Sequence, residues 1–283
     1  MTTGAASAEA HVAILDSSAI QEAAARGTPD GMWEGSGNIV RGDGWAAIGL
    51  GDRAASESLE RLRSLDWVER IVAVSTPFRL ASRALFQRDL PVRLGGRGTS
   101  GREAGTAVGG RGSVTIVATL PARSQNERSA RRAVAAGATV LHFGRASSPV
   151  GGRAPSLRER MAGLRELCDG VGAPMSVAVA DARQIGDVIE TADALVVEAH
   201  SMQDFSLLRE LGRLDRPVVI KRASGATVEE FLLAAEYVLA GGNGRVILCD
   251  PGVRSFVTPL RPRPIRRSSP RCPGRRWPPA PTA

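Results

Sequence analysis

Apolar residues along this 283-residue chain fall into short runs separated by longer stretches of helical period. The clearest block lies between Ala194 and Phe256. There the runs Ala194–Val197, Pro217–Ile220 and Arg245–Leu248 alternate with segments of period near 3.6, which predicts strand, helix, strand, helix, strand. Upstream, VTIVATL, ATVLHFG and PMSVAV read as further strands, and helices are predicted at 126–136, 156–169, 182–191, 203–212 and 226–240. Six strands alternating with helices make a parallel sheet. Its strands end together on one face, where such sheets usually bind ligands, and polar residues stand where each of these strands stops.

Residues 11–76 carry a different rhythm. HVAIL reads as a strand, DSSAIQEAAARG as a helix with Asp16 or Ser17 as cap and Gly27 as stop, and GWAAIGLGD as a second strand. SESLERLRSL follows as a helix and VERIVAVST as a third strand, so residues 1–76 are expected to form a small ferredoxin-like α+β domain. Residues 77–112 read as a Gly-rich linker, with eight glycines between Gly95 and Gly112. The linker contains GRGTSG, a match to the dinucleotide-binding glycine pattern, but no strand leads into it and no helix leaves it, so it is not read as a phosphate loop. The barrel-like alternation occupies 113–256. The last stretch, 257–283, has eight prolines and seven arginines without apolar periodicity, and is expected to be disordered.

Charge changes this picture little once it is located. The net charge is +8, and the seven arginines after Phe256 face no acidic residue, which leaves 8 − 7 = +1 on everything before them. A near-neutral body without a basic, aromatic-studded stripe is not that of a specific nucleic-acid binder. Cys168, Cys249 and Cys272 form no CxxC motif and no even framework, in keeping with a reducing compartment. No apolar run is long enough for a membrane span and the first ten residues do not resemble a secretory leader, so the expected location is the cytoplasm.

Of 37 basic residues only Lys221 is lysine. A compact ammonium on a flexible stem suits a phosphate or carboxylate at a strand end; the alternative is a chance survivor on a solvated one. Around it, EAHSMQ, then VVIKRA, then FLLAAEYVLAGGN running into ILCDPGVRSF resemble the core of the type I beta 3-deoxy-7-phosphoheptulonate (DAHP) synthases. That family condenses phosphoenolpyruvate with erythrose 4-phosphate in a metal-dependent aldol-type reaction on a (β/α)8 (TIM) barrel. The resemblance implies an α/β fold with an incomplete barrel of six strands, preceded by the ferredoxin-like domain, which in many relatives serves feedback regulation. It also implies that Lys221, Arg222 and Arg254 hold phosphoenolpyruvate, with His200 standing where the family has an arginine. For Arg222 and Arg254 a solvated strand end is the other reading, and for His200 a structural role. Gln203 is expected to help start the helix after it.

Elsewhere the chain departs from the family pattern. Where the family's first strand ends in a metal-binding cysteine, this chain has Leu120-Pro121-Ala122-Arg123; Leu141-His142-Phe143-Gly144 replaces Leu-Arg-Gly-Gly, and Ala178 stands at the place of a glutamate. The family's other metal ligands have no counterpart here, so the expected divalent cation, manganese or similar, finds no ligands. His142 and His200 are too distant in sequence, and too little supported by carboxylates, to read as a substitute site. No catalytic residue is assigned, and the likeness stops after Phe256 as at a truncation or a change of reading frame. Two functions stay open, beside a third reading, suggested by the linker and tail compositions, of a decayed gene whose product folds poorly. One is a DAHP synthase-like enzyme of impaired activity acting on phosphoenolpyruvate and a phosphorylated aldose. The other is a non-catalytic paralogue, self-associating or bound to an active synthase through exposed strand edges and apolar surface.

Overall fold

A computed structural model describes residues 10–16, 39–50, 56–86, 90–95, 105–110, 114–144 and 155–252. The N-terminal part comprises β1 (Ala10–Leu15), β2 (Ile39–Gly42), β3 (Trp45–Leu50), α1 (Ser56–Arg63) and β4 (Val68–Val74). These strands form an antiparallel sheet in the order β2-β3-β1-β4. β1 is buried almost throughout because it is central, and its two faces feed separate clusters: Val12 and Ile14 pack with Trp45 and Leu85, Ala13 and Leu15 with Leu59 and Leu62. β2 was not anticipated, since a four-residue run, IVRG, is too short to show alternation. The helix expected from Asp16 or Ser17 to Gly27 lies outside the described residues.

β5 (Val92–Leu94) and β6 (Thr106–Val108) pair as an antiparallel ribbon inside the stretch read as a linker. The other elements alternate: β7 (Val117–Thr119), α2 (Glu127–Ala135), β8 (Val140–Phe143), α3 (Leu157–Val171), β9 (Met175–Val179), α4 (Ile185–Val188), β10 (Ala194–Val197), α5 (Phe205–Gly212), β11 (Val218–Lys221), α6 (Val228–Ala240) and β12 (Val246–Cys249). The six strands β7 to β12 pair in chain order, all parallel, as a curled sheet forming part of a barrel. The predicted helix at 182–191 is shorter, a 3-10 turn at Ala182–Gln184 running into α4.

Strand alternation divides this sheet into two surfaces. Leu141, Phe143, Met175, Val177, Val179, Leu195, Val197, Val218 and Ile220 face the helices and meet Met161, Leu164, Leu207, Leu211, Phe231 and Val238 in one core. The alternate residues line the inside of the curl. At its N-terminal end, Val140 and Ala194 pack against Leu94 of the β5–β6 ribbon, which closes that end with apolar side chains.

The helices start where the sequence places caps. Ser156 and Glu159 form a reciprocal capping box on α3, as do Thr227 and Glu230 on α6. α5 begins at Asp204, whose carboxylate accepts from the Leu207 N–H, and not at Gln203. α5 and α6 meet at Gly212 and Gly241; a Cβ on Gly241 would lie 2.6 Å from the Gly212 Cα, so the approach is open only to glycine. The N-terminal sheet is stitched to the last helix–strand turn by main chain. Arg41 N–H donates to Gly242 O at 2.9 Å and Gly244 N–H donates to Arg41 O at 2.8 Å.

One charged pair lies inside this packing. Arg165 on α3, 8% exposed, donates from Nη1 to Asp193 Oδ2 at 2.7 Å, and that carboxylate also accepts from the Met175 N–H at 2.7 Å. It anchors α3 to the entry of β9 and β10. Replacing Arg165 by methionine leaves a buried carboxylate without its cation, and such losses run to about 3–5 kcal/mol. Urea denaturation should show an unfolding free energy lower by roughly that amount in Arg165→Met, with an unchanged slope.

Candidate functional site

Polar residues converge at the C-terminal ends of the parallel strands, inside the curl. His142 on β8 and Ser176 on β9 are register partners, and so occupy the same face. Val196 on β10 is level with Ala178 on β9 and Val219 on β11. One pleat further on, on the same face, come Glu198 and Lys221. The order β8-β9-β10-β11 thus brings four side chains from four consecutive strands to one rim.

Their contacts make a chain. Lys221 Nζ donates to Glu198 Oε1 at 2.7 Å, and the same oxygen lies 3.4 Å from His142 Nε2. His142 Nδ1 is 3.2 Å from Ser176 Oγ. Glu198 reaches His142 across β9, where Ala178 presents only a methyl group. Lys221 and Glu198 side chains are each 25% exposed, whereas His142 is nearly sealed, so the ion pair fronts solvent and the imidazole stands behind it.

Electrostatics fixes the protonation states. Burial pulls the His142 pKa below its ordinary 6.5 and the Lys221 charge adds to this; Glu198 and Ser176 pull upward without reversing it. A neutral imidazole has one N–H. If it were on Nδ1, the bare Nε2 lone pair would face a carboxylate oxygen, so the proton belongs on Nε2, directed at Glu198; Nδ1 is left beside the Ser176 hydroxyl, which also lies 3.3 Å from Leu141 O as a donor to it. For Glu198 burial opposes ionisation, but the hydrogen bond and charge of Lys221, with His142 beside them, prevail and hold the carboxyl below its usual range.

The other expected residues sit differently. Arg222, the next residue after β11, turns away to donate to Ala226 O at 2.9 Å and to both Asp250 oxygens at 3.1 and 3.2 Å. Asp250 is held below its usual value by the Gly252 N–H, against some burial, and by Arg222. His200 is exposed on a 3-10 turn, Ala199–Ser201, and takes no part in the cluster's hydrogen bonds. Arg254 lies outside the described residues. Glu198 was missed as a site residue although it lies inside the quoted EAHSMQ. The reading that His142 lacks carboxylate support is corrected, because Glu198, 56 positions away, supplies it through strand order.

Of the four cluster side chains only His142 and Glu198 are of types that usually hold a divalent cation. Ala122, at the place of the expected cysteine ligand, has no lone pair to offer. Among the described residues no group of three or more histidine, cysteine, aspartate or glutamate side chains is gathered as a metal site. Among the same residues no helix is long and apolar enough to cross a membrane.

The buried neutral histidine should be visible in pH-dependent stability. With its folded pKa depressed, the unfolded chain binds a proton that the folded chain refuses, so the contribution present above about 6.5 is lost as pH falls through the folded value. Thermal melts of wild type and His142→Gln at pH 7.5 and 5.5 should show the larger acid-induced drop in the wild type, because glutamine keeps an N–H donor without the titration.

Comparison with known proteins gives this geometry a setting. Residues 119–262 match the model of the DAHP synthetase I family. Over 231 residues the chain is 30% identical to a phospho-2-dehydro-3-deoxyheptonate aldolase of Thermotoga maritima, an alignment covering 79% of this chain and 65% of that protein. A 2-dehydro-3-deoxyphosphooctonate aldolase of Geobacter sulfurreducens is 27% identical over 41% of this chain and 44% of its own. A crystal structure of the Thermotoga maritima phospho-2-dehydro-3-deoxyheptonate aldolase (DAHP synthase) superposes with a TM-score of 0.56 at 27% identity, covering 88% of this chain and 72% of that one. The parallel strands, the strand-end lysine and the match of family model and relatives lead to one assignment: the chain belongs to the DAHP synthetase I family.

Proposed function

We propose that this chain is a DAHP synthase-like protein that binds phosphoenolpyruvate at the strand ends of β10 and β11, and that its condensation of this acid with erythrose 4-phosphate is impaired. Family membership supports the substrate pair and the barrel chemistry, which in this family generally depends on a metal. The observation that carries the reading is the position of Lys221. The single lysine ammonium of the chain stands at the C-terminal rim of a parallel sheet, a quarter exposed, where a phosphate or carboxylate can reach it. Arg222 follows it in sequence, with Arg254 and His200 proposed as the remaining contacts. What supports the impairment is that, among the described residues, no three metal-ligating side chains are gathered.

In the same proposal, residues 1–76 form a regulatory ferredoxin-like domain, supported by the strand order β4-β1-β3-β2 with α1 after β3. Residues 77–112 lead from it into the partial barrel at 113–256, and 257–283 form a tail. A second reading, a non-catalytic partner of an active synthase, draws on the edge strand β7, where Val117, with Ile116 just before the strand, is 52% exposed and Ile116 49%.

Calorimetric titration of the full chain with phosphoenolpyruvate tests the binding. Lys221→Ala should weaken binding about tenfold or more, the scale of one lost charge-assisted hydrogen bond. Equal binding by both proteins would overturn the site. Consumption of phosphoenolpyruvate with erythrose 4-phosphate and manganese should not exceed the Lys221→Ala background; turnover abolished by that substitution would overturn the impairment.

A further inference from the structure

Lys221 is already engaged by Glu198, and that pairing bears on any ligand of the site. Glu198 Oε1 sits 2.7 Å from Nζ, the distance at which a ligand's phosphate or carboxylate oxygen would sit. The carboxylate is not a surface charge that swings away freely. It is three-quarters buried, its pKa is lowered so that it stays ionised, and its other contact is the Nε2 of a histidine that is itself fixed from behind by Ser176. The site therefore contains its own anion.

We infer that Glu198 is an internal counter-anion that occupies Lys221, so that a phosphorylated acid binds only in competition with it, and that this residue sets the affinity of the site for anions. The inference rests on the phosphoenolpyruvate-binding reading above. Two negative groups cannot share one ammonium at hydrogen-bond distance without mutual repulsion. An arriving anion must either break the 2.7 Å contact, leaving Glu198 with His142 alone, or share the three-donor ammonium against the repulsion of Glu198. A neutral His142 can hold that carboxylate by one N–H but offers it no charge. Glu198 thus acts against binding, in contrast to Lys221.

The chain offers an unusual handle for the test, because its one lysine gives one side-chain signal after selective isotope labelling. Wild type, Glu198→Gln and the double variant Glu198→Gln/Lys221→Ala are titrated with phosphoenolpyruvate by calorimetry, and wild type and Glu198→Gln also with inorganic phosphate while the Lys221 resonance is followed. Glutamine keeps the length and an acceptor oxygen and removes only the charge. Glu198→Gln should bind phosphoenolpyruvate about tenfold more tightly than wild type, and the gain should vanish in the double variant. Affinity that is unchanged or lower in Glu198→Gln, with wild type still binding, overturns the counter-anion and leaves the phosphoenolpyruvate reading standing. If none of the three binds phosphoenolpyruvate, that reading falls, and the phosphate titration decides the inference separately. A Lys221 signal that moves at lower phosphate concentration in Glu198→Gln than in wild type upholds it, and equal or absent responses overturn it. Should Glu198→Gln melt early, Glu198→Ala takes its place with the same expected direction.

Discussion

A parallel sheet cannot leave either face in water, and everything else in this structure answers that constraint. The helix-facing residues of β8 to β11 are aliphatic or aromatic almost without exception, and they dictate where α3, α5 and α6 lie. The inner face is closed by apolar residues at one end, where Leu94 meets Val140 and Ala194, so polar side chains can gather only at the other. His142, Ser176, Glu198 and Lys221 are the groups that gather. The site is the place where the inner face stops being apolar.

The alternation of strand and helix between residues 114 and 252 was legible because each strand is short, nearly continuous in apolar residues and followed by a cap such as Ser156, Asp204 or Thr227. Lys221 was legible by its rarity and by standing one residue past an apolar run. Glu198 was not, although it stands in the same position one strand earlier. A carboxylate at a strand end reads as a solvated terminus until its partners are known, and those partners, His142 and Lys221, are 56 and 23 residues away in opposite directions. Sheet order, which no local pattern contains, decides that they meet. The β5–β6 ribbon was hidden for another reason: three-residue strands within a run of glycines carry no measurable period.

His142 shows how a substitution can change the character of a site without emptying it. Where the resemblance implies an arginine, an always-charged fork, this chain has a ring that is nearly buried and neutral. The ring contributes direction, through one N–H, and no charge. Glu198 can then be held from one side by direction and from the other by the ammonium, a division of labour that a guanidinium at position 142 would not allow.

The stitching of the N-terminal sheet to the last turn before β12 also shapes how the chain reaches its fold. Asp43 pairs with Arg245 across 202 positions, and Glu236 accepts the backbone N–H groups of Leu80 and Ala81 from 156 and 155 positions away. Residues made first therefore find their partners among residues made last. During synthesis the opening strands must wait, their edge unclaimed, until nearly the whole described chain has left the ribosome, and closure of so long a loop makes the final docking a late and slow event.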